Sequence, residues 1–223
     1  MAELIVNVLP YGLAAALAAP IVAVVTAVIL AESKRPILSA WVFTAGAAAL
    51  VSAYSVAFLA VVEVAGAFDG DSEAGATVDL ALGAIFMALG LFAILSHPDP
   101  EKEAAQQERI RRIAAGGLGG MLVTGVVAQV VNVDALAVYT GALKEVAESG
   151  VSTVEGALAV LVALAVMLLP YYLPALIYSV SPERSGRALG RMSDWLLGHS
   201  RMLEIVVGLG FGVIFLVKGL VTI

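Results

Sequence analysis

One apolar stretch with polar residues inside it constrains this chain more than any other feature. Apolar and small residues fill positions 113–143, interrupted by Gln129, Asn132 and Asp134. The core of the run, AAGGLGGMLVTGVVAQVVNVDALAVY (residues 114–139), reads as a membrane-spanning helix. A carboxylate at membrane depth costs roughly 3 kcal/mol on insertion scales, so it faces a bundle interior or a water-filled path. The rest of the chain must therefore supply helices that surround this one.

The sequence has the material to do so. It is 61% hydrophobic and only 13% charged, against about 25% charged in a typical globular domain. The excess is segregated into six apolar segments, near residues 4–30, 37–66, 80–95, 113–143, 156–178 and 202–220. This is the pattern of an all-α integral membrane protein, with no length left for a soluble domain. The basic residues are too few and scattered for a nucleic-acid surface, despite the net charge of −6 giving no hint of class. With no cysteine, disulfides, thiolate metal sites and thiol redox chemistry are excluded. The start, MAELIVNVLP, has no basic residue before its apolar run, so it reads as a retained first span.

Two linkers stand out. HPDPEKEAAQQERIRR, within residues 96–113, reads as a surface helix, with Pro100 in its first turn, Glu101 and Glu103 near the positive dipole end, and Arg109, Arg111 and Arg112 near the negative end. SPERSGRALGRMSDWLLGHSR reads as an interfacial helix over about residues 181–198. Its Arg184, Arg187 and Arg191 form a stripe suited, with Trp195, to lipid headgroups. Alternate loops divide the charge sharply: ten of the twelve Lys and Arg fall on one side, leaving Lys144 and Lys218 on the other. The positive-inside rule then puts both termini outside and both basic linkers in the cytoplasm.

Six spans divide into an inverted repeat of three and three, with residues 1–95 and 114–223 as the halves and 96–113 as the linker. Pro20 and Asn132 interrupt long apolar runs at corresponding places in the two halves.

Several stretches also carry a family likeness. ALAAPIVAVVTAVIL, then SAWVFTAGAAALV with Trp41 and Gly46, then PYYLPALIY, and the closing RMSDWLLGHSRMLEIVVGLGFGVIFLVKGL run in order through most of the chain. The ending has a Trp-led helix at Trp195, the turn His199, Ser200, Arg201, and Lys218, Gly219, Leu220 after the last span. The chain resembles the glycolipid-addressing (GAP, or Sap-like) proteins of the lysine exporter (LysE) superfamily. The resemblance implies a secondary exporter of the bacterial cytoplasmic membrane for a lipid-like or small amphipathic substrate. One departure is local: where the family has an Asn-Pro-Lys element in its fourth span, this chain has Asn132, Val133, Asp134. Asn followed by Asp is similar to the cadmium-resistance branch, so a divalent metal cation is the alternative cargo.

The candidate substrate or ion site is Pro20, Gln129, Asn132, Asp134, Pro170 and Tyr171. Asn132 and Asp134 lie about 200° apart on a regular helix and converge only where the helix is unwound. Pro20 kinks its span and frees backbone carbonyls. Pro170 and Pro174 bracket Tyr171 and Tyr172 as a hinge with aromatic lining, or as interface-belt residues. The acidic loop AFDGDSEAGATVD reads as a solvated outer turn, and no metal-ligand spacing or nucleotide-binding loop is present. No enzyme motif is present either. The sequence thus implies a transporter with no cofactor, in contact with membrane lipids and a small-molecule or lipid substrate, not nucleic acid; a homodimer is compatible with its small-residue faces. The other reading, from a different class, is a non-transporting scaffold for envelope lipid machinery.

Overall fold

A computed structural model describes residues 1–65, 73–95 and 117–181, together with 191, 195, 199, 202, 205–217 and 219–221. Among them every regular element is an α-helix: α1 (Ala2–Leu17), α2 (Pro20–Glu32), α3 (Pro36–Ala65), α4 (Glu73–Leu95), α5 (Leu118–Val131), α6 (Val133–Glu148), α7 (Thr153–Met167), α8 (Leu169–Val180) and α9 (Ile205–Val221). The basic linker at 96–113 and the acidic loop at 66–72 lie outside the described residues.

Among the described residues only α3 is by itself long and apolar enough to cross a membrane, over Pro36–Glu63. Three bent pairs pass the same test when their halves are taken together: α1 with α2, bent by 62°, α5 with α6, bent by 76°, and α7 with α8, bent by 66°. The apolar parts of α4 and α9, Asp79–Phe92 and Ile205–Val221, are shorter. The stretch expected as one helix over residues 114–139 is therefore two, joined at Asn132.

Large apolar side chains point outward on every described helix, Val56, Phe92, Val131 and Val180 among them, as lipid contact requires. α6 is buried along most of its length. Like α2, which exposes only Ile21, it has one exposed large hydrophobic, Val133 at its start, while Ala135, Val138 to Lys144 and Val146 are buried. α6 is the central helix, packed on α1, α7, α3 and α4.

The outer helices grip one another through glycine. α3 and α5 form the most extensive helix contact among the described residues. A Cβ at Gly46 would overlap the carbonyl of Leu122, and one at Gly125 the carbonyl of Phe43, so the two backbones touch. The TAGAAA run of α3 thus does what its small side chains suggested. A second seam joins α4 to α9, where a Cβ at Gly208 would lie 2.8 Å from Gly90 Cα.

Hydroxyls inside these apolar helices are hidden locally. Thr26, Thr44, Ser55, Thr124, Thr140 and Ser179 each donate to the carbonyl four residues back, at 2.7–3.0 Å. The turn from α6 to α7 is set by Gly150, at φ 60°, and by a capping box between Ser152 and Glu155.

Gly125→Val should separate α3 from α5 and lower stability in detergent by at least the ~1–3 kcal/mol of ordinary overpacking. Gly119→Ala, where nothing lies within 4 Å of the added carbon, should not lower it. Thermal unfolding of the two variants beside the wild type checks both expectations.

Candidate functional site

Two of the three helix breaks meet in one polar cluster, and α2 reaches the same region. The first break has a covalent cause. Pro20 opens α2 and has no N–H to give Ala16, whose carbonyl instead accepts from Ala19 N–H at 3.3 Å. The third break also rests on proline, with Pro170 in the first turn of α8. The carbonyl of Ala165, left without its helical donor there, accepts from Tyr172 Oη at 3.0 Å. Pro174, further on, cannot donate to the carbonyl of Pro170. Thr26 Oγ on α2 lies 3.5 Å from that carbonyl and 3.0 Å from the carbonyl of Val22, so one hydroxyl proton serves both. Through Thr26, six residues past Pro20, α2 meets the third break.

The second break has no proline. Asn132 leaves helical geometry at φ −84° and ψ 60°, and its side chain caps nothing. At the end of α5, Gln129 is completely buried and accepts a hydrogen bond from Tyr171 Oη at 2.8 Å. That bond ties the second break to the third. Phe43 of α3 covers the Tyr171 ring with centroids 5.2 Å apart, and Trp41 stacks on Tyr172 at 6.3 Å.

The cluster has donors to spare. The amide nitrogens of Gln129 and Asn132 are both buried, and neither has a hydrogen-bond partner. An unpaired buried polar group of this kind costs about 1–3 kcal/mol. The first backbone N–H groups of α6 add further donors, because a helix start leaves them without intrahelical acceptors. Chemically this is a cluster whose spare donors suit oxygen acceptors.

Asp134 stands beside it. It is half-buried in the first turn of α6, with its carboxylate on its own backbone N–H. With 14 residues in α5 and 16 in α6, Asp134 lies at the middle of the bent pair and not at its end.

Of the residues singled out from sequence, Gln129, Asn132, Pro170 and Tyr171 meet at the cluster, with Asp134 next to Asn132 and Pro20 two residues before Val22. The lipid-headgroup set is separate. Arg191 and Trp195 are exposed, and Trp195 stacks on His199 at 4.8 Å, while Arg184 and Arg187 lie outside the described residues. Among the described residues no group of three or more His, Cys, Asp or Glu could hold a metal ion.

A second polar group escaped sequence reading. Lys144, assigned by its position to an outer loop, is buried on α6 in an ion pair with Asp79 of α4. Asp79 had been read as the last residue of the acidic loop. The missed signal was the amphipathic continuation LKEVAE, which extends α6 to Glu148.

With this geometry in hand, the family comparison is decisive. The family model described as Sap, sulfolipid-1-addressing protein, matches residues 8–221. The chain belongs to that family. The expected Sap-like likeness is thereby established over nearly the whole sequence. No curated protein and no solved structure matches the chain. For this Sap-family protein, membership together with the apolar helices makes it a lipid-related membrane protein.

Tyr171→Phe should leave Gln129 Oε1 without its donor and lower stability by about 1–3 kcal/mol. Adding Gln129→Leu should recover most of that loss, since the buried amide that lost its donor is then gone. A double-mutant cycle on thermal unfolding in detergent reads the coupling.

Proposed function

We propose that this Sap-family protein is a secondary exporter of the bacterial cytoplasmic membrane, moving a lipid-like or small amphipathic substrate and driven by an ion or proton gradient. The observation that carries the reading is the pair of buried, unpartnered amide donors at the break between α5 and α6, which Tyr171 ties to the break between α7 and α8. Broken helices whose freed polar groups line a cavity are the usual binding geometry of transporters. A polar headgroup with acceptor oxygens suits Gln129 and Asn132, and the exposed apolar surface around them suits an acyl tail. The family's description points to lipid as well. No chemical step on the substrate is required, and none of the residues is assigned a catalytic role.

The reading includes six spans in an inverted three-plus-three repeat, as in the LysE superfamily, with both termini outside. Its support is the pairing of elements. α1 with α2 and α5 with α6 are both broken spans, and α1 packs on α7 as α5 packs on α3. α2 likewise meets α3 as α6 meets α7. The second spans differ, since α3 is continuous and its counterpart is bent between α7 and α8. Alternating access in this scheme is rocking of the halves about the breaks.

Asn132→Ala and Asp134→Asn should each keep the protein folded and reduce substrate movement at least tenfold. The assay is proteoliposome translocation of a headgroup-labelled fluorescent lipid under an imposed proton gradient, with Trp195→Ala as the variant that retains flux. Undiminished flux in both core variants would sink the exporter reading. Wild-type flux no higher than that of protein-free liposomes would favour the scaffold.

A further inference from the structure

The turn between α2 and α3 lies at one end of Pro36–Glu63, the one described helix long and apolar enough to cross a membrane by itself. Residues 33–35 therefore stand at the boundary between lipid and water. Lys34 and Arg35 are both exposed there. The turn that carries them is tied at its base. Ser33 Oγ shares a hydrogen bond with Ser39 Oγ at 2.7 Å and accepts one from Arg35 N–H at 3.3 Å. Over residues 32–35 two cations stand against one carboxylate, that of Glu32. Six residues past Arg35 comes Trp41, 42% exposed, with its ring nearly parallel to that of Tyr172 of α8, at an interplanar angle of 6°. Ile37 and Leu38, between the turn and Trp41, are exposed as well.

We propose that this corner is a docking site for one anionic phospholipid, with the phosphate on Lys34 and Arg35 and an acyl chain against Leu38 and Trp41. Charge, depth and shape each support it. Each basic residue near a membrane surface favours anionic lipid by roughly fivefold. A zwitterionic lipid gains less, because its own ammonium comes near the same two cations. The depth also matches. Trp41 is about 9 Å below Arg35 along a straight helix, and the polar layer on each side of a bilayer is about 5–8 Å thick. A phosphate on the two cations thus puts the indole where the acyl chains begin, the level that Trp and Tyr rings favour. The ledge is fixed before any lipid arrives, since Tyr172 Oη donates to the carbonyl of Ala165 at 3.0 Å. A surface already ordered costs less to bind.

The two tyrosines after Pro170 divide their work. Tyr171 is buried and donates to Gln129 in the interior cluster, whereas Tyr172 lies at the surface against Trp41. One kink thus borders both the cluster and the lipid-facing ledge. The docking site uses no atom of the cluster, and it does not rest on the exporter reading. It is also separate in sequence from the exposed Arg191 and Trp195.

The test uses the full chain in lipid nanodiscs with Trp195→Phe, which leaves Trp41 as the sole tryptophan. Quenching of its emission is read with acyl-brominated phosphatidylglycerol and acyl-brominated phosphatidylcholine, each diluted into unbrominated phosphatidylcholine. The anionic lipid should reach Trp41 with an apparent affinity about tenfold higher or more, given roughly fivefold per basic residue. In Lys34→Gln/Arg35→Gln the two lipids should quench alike while thermal stability is kept. Salt at about 1 M, where screening acts over about 3 Å, should level them as well. Arg191→Gln should leave the preference intact. If Trp195→Phe does not fold, the difference in quenching between the wild type and Trp41→Phe supplies the same signal. Equal quenching by the two lipids, a preference that survives loss of both cations, or one abolished equally by Arg191→Gln would each overturn the proposal. So would a preference lost on adding inorganic phosphate but not chloride at equal ionic strength, since the turn would then take free phosphate. No flux enters this measurement. Anionic-lipid docking in a protein that moves no lipid would leave this site standing and remove the exporter reading alone.

Discussion

Backbone hydrogen bonding is the constraint on which the rest of this structure depends. In an apolar surrounding each unsatisfied N–H or C=O costs several kcal/mol, so continuous helices are the default. This chain interrupts three of them and answers the freed groups one by one. Ala16 O takes the N–H of Ala19, Ala165 O takes the hydroxyl of Tyr172, and Pro170 O lies within reach of Thr26. The side-chain atoms left without partners at the breaks are donors, on Gln129 and Asn132. That asymmetry gives the site its chemical character.

Stiffness and pliability are divided between different contacts. Where Gly46 and Gly125 let α3 and α5 touch, the backbones interlock and leave little freedom to slide. At Asn132 the helical hydrogen-bond ladder is interrupted and no proline fixes the angle. The two bends with proline have a covalently restricted φ, whereas the bend at Asn132 is held by packing. The buried bonds Ser55 to Tyr139 and Tyr54 to Thr140, at 3.0 and 2.6 Å, fasten the far half of α6 to α3. Any rearrangement of α6 must exchange these bonds as well as pivot at its start.

The sequence made some of this legible for definite reasons. Pro20 and Pro170 announce breaks because a missing N–H is a local, covalent property. Asn132 and Asp134 drew attention because polar groups in an apolar run need a reason, and the requirement that they converge only at an unwound point is met by the break between α5 and α6. The hydrogen bond from Tyr171 to Gln129 was not legible, although both residues were singled out. It joins positions 42 apart in sequence, and nothing local specifies such a pairing. Lys144 was misread for a related reason. A single lysine at the end of an apolar run looks like a span terminator, and only Asp79, 65 positions away, makes its burial tolerable. Both had been assigned to loops on the same side, which is compatible with their meeting, but loop residues on one side are many and partners are few.

α6 is the element that joins the two polar regions. Its start borders the donor-rich cluster, and Lys144, twelve residues after Asn132, is about 18 Å away along a straight helix. A helix that is buried along most of its length cannot bend smoothly between those points, because its neighbours are close-packed. It moves as a rod or not at all. A change of angle at Asn132 would therefore carry Lys144 with it, and the ion pair with Asp79 opposes that movement. The absence of proline at Asn132 then has a physical reading. A bend fixed by proline would keep one angle, whereas a bend held by packing and two unspent amides can adopt another when those amides find an acceptor.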